Sequence, residues 1–273
     1  MNESGKTMIG TLKKLTLLAF LISAGFVHSG IVVLGGLTHE QQLSPGEEYK
    51  GVVELENLTD EPGRVRIYQT DYFFNAAGET HYPEPGSLDR SNAEWIEFTP
   101  KELIIEPRQR TVVNYQLTVP ESESLSGTYW SMLMVENVPE IDPDQIRDDA
   151  VTVQSRIRYG IQMVTNIGAT GTKKITFLQT EFVEKENRFF LQVDYENKGT
   201  RILRPLMNLE VYNDDGELVG RFEHKKQKSY PGTSNRIHIE LEDVQTGTYQ
   251  ALLIADCGQD DLFGIRFTLE LNK

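Results

Sequence analysis

Residues 151–163 read V-T-V-Q-S-R-I-R-Y-G-I-Q-M. The odd positions are Val151, Val153, Ser155, Ile157, Tyr159, Ile161 and Met163. The even ones are Thr152, Gln154, Arg156, Arg158, Gly160 and Gln162. A period of two sends successive side chains to opposite faces of an extended chain, so this run is expected to be one strand with an apolar and a polar face. Its 13 positions are long for a strand, which usually has about five or six. From Ile157 onward the odd face is expected to pack a core. Val151 and Val153 are expected near or beyond the end of the sheet, where an unpaired edge can accept a strand from another chain.

The same alternation spreads through the chain. Val53, Leu55 and Asn57 alternate with polar neighbours, as do Val113, Tyr115, Leu117 and Val119, and then Tyr129, Ser131, Leu133 and Val135. Turn residues separate the runs: Ser44-Pro45-Gly46, Pro62-Gly63, Asn75 to Gly78, and Pro120. No stretch of helical period competes with this pattern. The pattern also occurs twice. Glu56-Asn57 is answered by Glu196-Asn197, Asn75 to Glu79 by Asn213 to Glu217, and Gly127-Thr128-Tyr129 by Gly247-Thr248-Tyr249. The offset shrinks from 140 to 120, which places an insertion in the first half around Pro83, Pro85 and Trp95. We read an all-β chain of two tandem immunoglobulin-like β-sandwiches, at 30–165 and 172–273, joined by a small-residue linker at 166–171. Each Gly-Thr-Tyr is expected to supply a corner tyrosine, bonded back to nearby backbone.

Lys6, Lys13 and Lys14 precede an uncharged stretch at 15–27. This is the form of a signal peptide over residues 1–29, too short at about 1.5 Å per residue to cross a bilayer core of about 30 Å. A signal anchor continuing through Ile31 to Leu34 is the rival, against which His28 and Gly30, Gly35 and Gly36 speak. The rest is expected to be exported, periplasmic or at the cell surface. A formal charge of −14 on 273 residues opposes binding to nucleic acid or to anionic lipid, both of which need a basic face. The single cysteine, Cys257, excludes an intrachain disulfide and reads as a small hydrophobe at a strand end.

Chemistry-bearing motifs are missing. His39, His81, His224 and His238 lie singly, and no nucleophile elbow, zinc-protease helix or phosphate-binding loop occurs. No enzyme, metal site or cofactor is therefore expected. The acidic run at Glu140, Asp142, Asp144, Asp148 and Asp149, and a second at Asp256, Asp260 and Asp261, read as solvated loops rather than calcium sites. Asn57-Leu58-Thr59 has the form of a glycosylation sequon.

Several ordered segments resemble the first domain of the PapD-like superfamily of periplasmic pilus chaperones. They are Trp95-Ile96-Glu97-Phe98-Thr99-Pro100, Ile105-Glu106-Pro107-Arg108-Gln109-Arg110, Gly127 to Pro139, and Gln154-Ser155-Arg156-Ile157-Arg158-Tyr159. The resemblance covers about 31–165; 172–273 shares the architecture only. It implies a protein partner of pilin or other envelope-subunit kind, held by strand pairing. Carried over by position, Val151, Val153 and Ile157 become donor-strand residues, and Arg156 or Arg158 the anchor of a partner carboxylate. The family's second basic residue, on the first strand, has no counterpart, because 31–43 contains no Lys or Arg. A structural or adhesive envelope module that binds through its loops is the alternative function.

Overall fold

The computed structural model describes residues 30–138, 156–185, 188–258 and 261–271. Eleven strands build a first sandwich: β1 (Ile31–Leu34), β2 (Thr38–Leu43), β3 (Glu48–Asn57), β4 (Gly63–Thr70), β5 (Phe73–Phe74), β6 (Thr80–His81), β7 (Ile96–Thr99), β8 (Glu102–Ile105), β9 (Arg110–Thr118), β10 (Gly127–Val138) and β11 (Arg158–Ile167). One sheet has the order β1-β3-β9-β7, the other β2-β11-β10-β4-β8, and β5 pairs with β6 as a small ribbon. The chain changes sheets between β1 and β2 at Gly35, whose φ of 80° lies where only glycine is relaxed. That switch brings β2 alongside β11 in parallel, while the other pairs are antiparallel. Leu55, Val65, Val113, Leu133 and Ile161 are fully buried between the sheets, as their period-two spacing requires.

Seven strands build the second sandwich: β12 (Ile175–Lys185), β13 (Arg188–Asn197), β14 (Leu206–Tyr212), β15 (Leu218–His224), β16 (Ser234–Glu240), β17 (Gly247–Asp256) and β18 (Leu262–Leu271). Sheets β12-β13-β16 and β15-β14-β17-β18 enclose Val193, Leu209, Val211 and Leu253.

The internal repeat extends to individual hydrogen bonds. Asn57 and Asn197 both end a strand and are both fully buried. Asn57 Nδ2 donates to the carbonyls of Glu61 at 2.7 Å and Ile105 at 2.9 Å, and its Oδ1 accepts from the Thr59 amide at 3.0 Å. Asn197 does the same with Arg201 at 2.7 Å, Ser229 at 2.8 Å and the Gly199 amide at 2.9 Å. This corrects the sequon reading, since a buried Asn57 committed to these three backbone groups and to the Thr59 hydroxyl, which donates to its Oδ1 at 2.7 Å, offers no side chain for a glycan. The turns at Asn75 and Asn213 match likewise, each side chain bonding the glutamate four residues on.

Two tyrosines expected to act alike differ. The Tyr249 hydroxyl donates to the Gln245 carbonyl at 3.0 Å, a true corner. Tyr129 instead lies against Trp95, ring centroids 4.7 Å apart, with the Arg90 guanidinium over its ring at 5.2 Å. The reason is the inserted segment, which brings Trp95 and Arg90 to that site. The buried carboxylate of Asp71 ties this segment down, accepting from the amides of Gly86 and Leu88 and the hydroxyls of Ser87 and Ser91. Both faces of β10 are buried as a result. Ser131, Leu133 and Val135 face the core, while on the other face Trp130 lies under the insertion and the second sandwich and Met132 and Met134 are buried beside Tyr68, Tyr82 and Gly160.

The long strand also differs from expectation. Among the described residues β11 starts at Arg158 and continues to Ile167, so the linker begins two positions later than its small residues suggested. Nor is it simply an edge: β2 covers it from Gln162 to Ile167. Val151, Val153, the run from Glu140 to Asp149, Asp260 and the signal segment 1–29 lie outside the described residues. No described helix is long and apolar enough to cross a membrane.

Candidate functional site

Backbone polarity along β11 decides what it can bind. The Gln162 amide donates to the Leu37 carbonyl at 2.9 Å, on the β2 side, while the Asn137 amide donates to the Ile157 carbonyl at 3.3 Å, on the β10 side. In a strand the N–H and C=O of one residue point the same way and alternate along the chain. Even-numbered residues therefore turn their backbone toward β2, and odd-numbered ones toward β10. The ladder with β2 starts only at Gln162. The backbone groups of Gly160 and Arg158 thus face a side where no described strand lies.

The side chains of the even residues share the outer face. Arg156 and Arg158 both reach Glu136 Oε1, at 3.9 and 3.4 Å. Both guanidiniums are about half exposed, and the carboxylate between them is nearly buried. Among the described residues, two cations thus share one anion here, on an acidic protein. Ile157 has the parity of the core-facing residues and is half-buried. Tyr159, two positions on, packs against the first core.

Further along the same face, β11 enters the contact between the sandwiches. Gln162 Oε1 accepts from Lys228 Nζ at 2.9 Å, from the Tyr230 hydroxyl at 2.8 Å and from Thr38 Oγ1 at 3.2 Å. Lys228 also donates to Thr38 Oγ1 at 2.5 Å. Burial, then the neighbouring Arg204, holds the Lys228 ammonium below its ordinary pKa. Arg204 pairs with Glu40, which also accepts from Asn166 Nδ2 at 2.9 Å. The Tyr230 ring stacks on Trp130, centroids 4.9 Å apart, and with Val164 and Ile202 forms a third buried cluster. Beside it opens a groove of about 550 Å³, lined on one wall by Tyr72 and Phe74 and on the other by Lys226, Lys228 and Arg236.

The structure therefore brings Arg156 and Arg158 together at Glu136, away from the polar cluster at the domain contact. Thr38, Lys228 and Tyr230 were not singled out from the sequence. Lys225, Lys226 and Lys228 form a local basic run in an acidic chain, which was a visible signal, but their meeting with Gln162 is a tertiary event. Among the described residues, no group of three or more His, Cys, Asp or Glu could hold a metal ion.

No protein-family model matches the sequence, and no curated protein matches it. Among solved structures the chain is similar to fimbrial chaperones. A chain of the chaperone–tip adhesin complex of CFA/I fimbriae biogenesis is 11% identical at a TM-score of 0.47, with 87% of this chain and 97% of that one covered. The class 5 fimbriae chaperone CfaA is 12% identical at a TM-score of 0.46, covering 87% and 98%. A chain of the CsuC–CsuE chaperone–tip adhesion subunit pre-assembly complex from Csu pili of Acinetobacter baumannii is 12% identical at 0.42, covering 86% and 97%.

Proposed function

We propose that this chain is an exported, non-enzymatic chaperone-like protein that holds a partner polypeptide, of pilin or other envelope-subunit kind, by strand pairing at β11. The observation that carries the reading is the start of the β2 ladder at Gln162, which leaves the backbone of Gly160 and Arg158 turned toward a side where no described strand lies. An extended segment laid there would continue the line of β2 and satisfy those groups. Val151, Val153 and Ile157 extend the alternation toward the partner. Arg156 and Arg158, sharing one carboxylate, are placed to take a second one from the partner, a charge-assisted contact of the stronger kind. The contact through Lys228, Tyr230 and Trp130 joins the two sandwiches beside this edge.

The test is to tag the full chain, express it in its native host and identify what co-purifies from the envelope fraction. A dominant polypeptide, lost in Val151→Glu/Val153→Glu and in Arg156→Ala/Arg158→Ala, is the expected result. Retention of the partner in both double variants would refute strand pairing and turn the assignment toward a structural or adhesive module.

A further inference from the structure

On the outer face of the second sheet lies a groove of about 420 Å³, which of the candidate-site side chains shares only Arg158. It is lined by Met132 and Met134 of β10, by Tyr68 and Thr70 of β4, by Tyr82, and on the β11 side by Arg158 and Gly160. It exists because position 160 has no side chain. A Cβ there would lie 3.0 Å from Met132 Cε and Sδ and 3.5 Å from Met134 Sδ. Tyr82 is held over the sheet by stacking on Tyr72, centroids 5.7 Å apart, and keeps about half of its surface in solvent. A cavity of roughly 150 Å³ accepts benzene, so this groove has room for one large side chain.

Resting on the strand-pairing reading, we infer that this groove takes one large apolar side chain, aromatic or long aliphatic, from the extended partner segment docked at the β11 edge. The argument is continuity. Gly160 and Arg158 are the two β11 residues whose backbone faces the side where no described strand lies, and they are also the β11 residues that border the groove. A segment paired with their backbone therefore carries its outer-face side chains to the groove mouth. The methionine lining defines the breadth of the preference. Unbranched, polarisable thioethers repack around differently shaped apolar groups, and such linings serve binders of several related partners. The two guanidiniums sharing Glu136 on the same side favour a partner with an acidic group flanking the apolar one.

The experiment uses the full chain and a phage-displayed library of extended peptides in a Thr/Val alternating frame with one position randomised. Synthetic peptides bearing Phe or Ala at that position are then titrated against the parent, Gly160→Val and Tyr82→Ala. The expected result is selection of Phe, Tyr, Leu, Ile or Met, with Phe binding about tenfold to a hundredfold tighter than Ala, the worth of burying one such side chain. That ratio should fall below about threefold in Gly160→Val, while the Ala peptide keeps its affinity, since valine suits a strand and leaves the edge intact. Tyr82→Ala, at an exposed position, should lower the ratio without any demand on folding. Peptides that bind with a Phe/Ala ratio near one, or a ratio unchanged in both variants, would overturn the groove assignment and leave strand pairing standing. No binding of any framed peptide would overturn both. A parent dimer by sedimentation that Gly160→Val abolishes would assign the groove to a second copy and overturn the inference.

Discussion

Replacing Asn57 or Asn197 by alanine tests whether the two sandwiches are held by the same local device. Each side chain is fully buried and makes three hydrogen bonds of 2.7–3.0 Å to backbone groups. A neutral bond contributes about 1 kcal/mol net, so each substitution should cost about 3 kcal/mol, and more where the carbonyl of Ile105 or Ser229 is left dry. The protein contains two tryptophans, Trp95 and Trp130, and both belong to the first sandwich. Tryptophan emission in urea therefore follows that unit, and far-ultraviolet circular dichroism follows both. With urea slopes of about 1–3 kcal/mol per molar, Asn57→Ala should lower the emission midpoint by about 1–3 M. Asn197→Ala should bring an early transition in dichroism. Any movement of the emission curve in Asn197→Ala then measures coupling through the Trp130–Tyr230 stack. Either variant remaining within about 0.5 kcal/mol of the parent, the range of ordinary surface changes, would refute the argument that these buried amides close the strand ends.

Two further outcomes follow from the β2 side of the first core. Tyr115 keeps its proton to about pH 12 because burial opposes its ionisation, so its hydroxyl can donate the 2.9 Å bond to Nδ1 of a neutral His39. Burial also lowers the His39 pKa below 6.5, so below that pH the unfolded chain binds more protons than the folded one. This contribution to stability is complete above about pH 6.5 and is lost as pH falls through the folded value. Urea midpoints between pH 7.5 and 5 should decline more steeply in the parent than in His39→Gln, and equal slopes would refute the assignment. Gly51→Ala would place a Cβ 2.4 Å from the Tyr115 ring and hydroxyl. Overpacking of this kind costs about 1–3 kcal/mol, and here it should also flatten the His39 slope by displacing the bonded hydroxyl.

Much of this architecture is local and was therefore open to reading along the chain. The period of two at Val113 to Val119 and Tyr129 to Val135 states which face of each strand is apolar, and it needs only the geometry of an extended backbone. The turns at Asn75 and Asn213, and two of the three backbone bonds of each of Asn57 and Asn197, lie within four residues, so their sequence echo carried their structure; the third bond of each, to Ile105 or Ser229, is tertiary. Parity likewise placed Arg156 and Arg158 on one face, as it did Gly160 and Gln162. What the tertiary structure decided is who lies beside whom. Alternation says nothing about a strand's lateral neighbour, so it could not reveal that β2, 124 residues before Gln162 where Thr38 bonds it, covers Gln162 to Ile167 of β11 and leaves Gly160 and Arg158 with no described strand beside them. Nor could it show that Tyr129 and Tyr249, identical in local context, part company because the insertion delivers Trp95 and Arg90 to one of them. The meeting of Lys228 and Tyr230 with Gln162 depends on how the two sandwiches lie against each other, a contact that also buries the Trp130–Tyr230 stack. Spacing in the chain records the direction of a side chain relative to its own backbone; edges, clefts and grooves are relations between backbones, and only packing creates them.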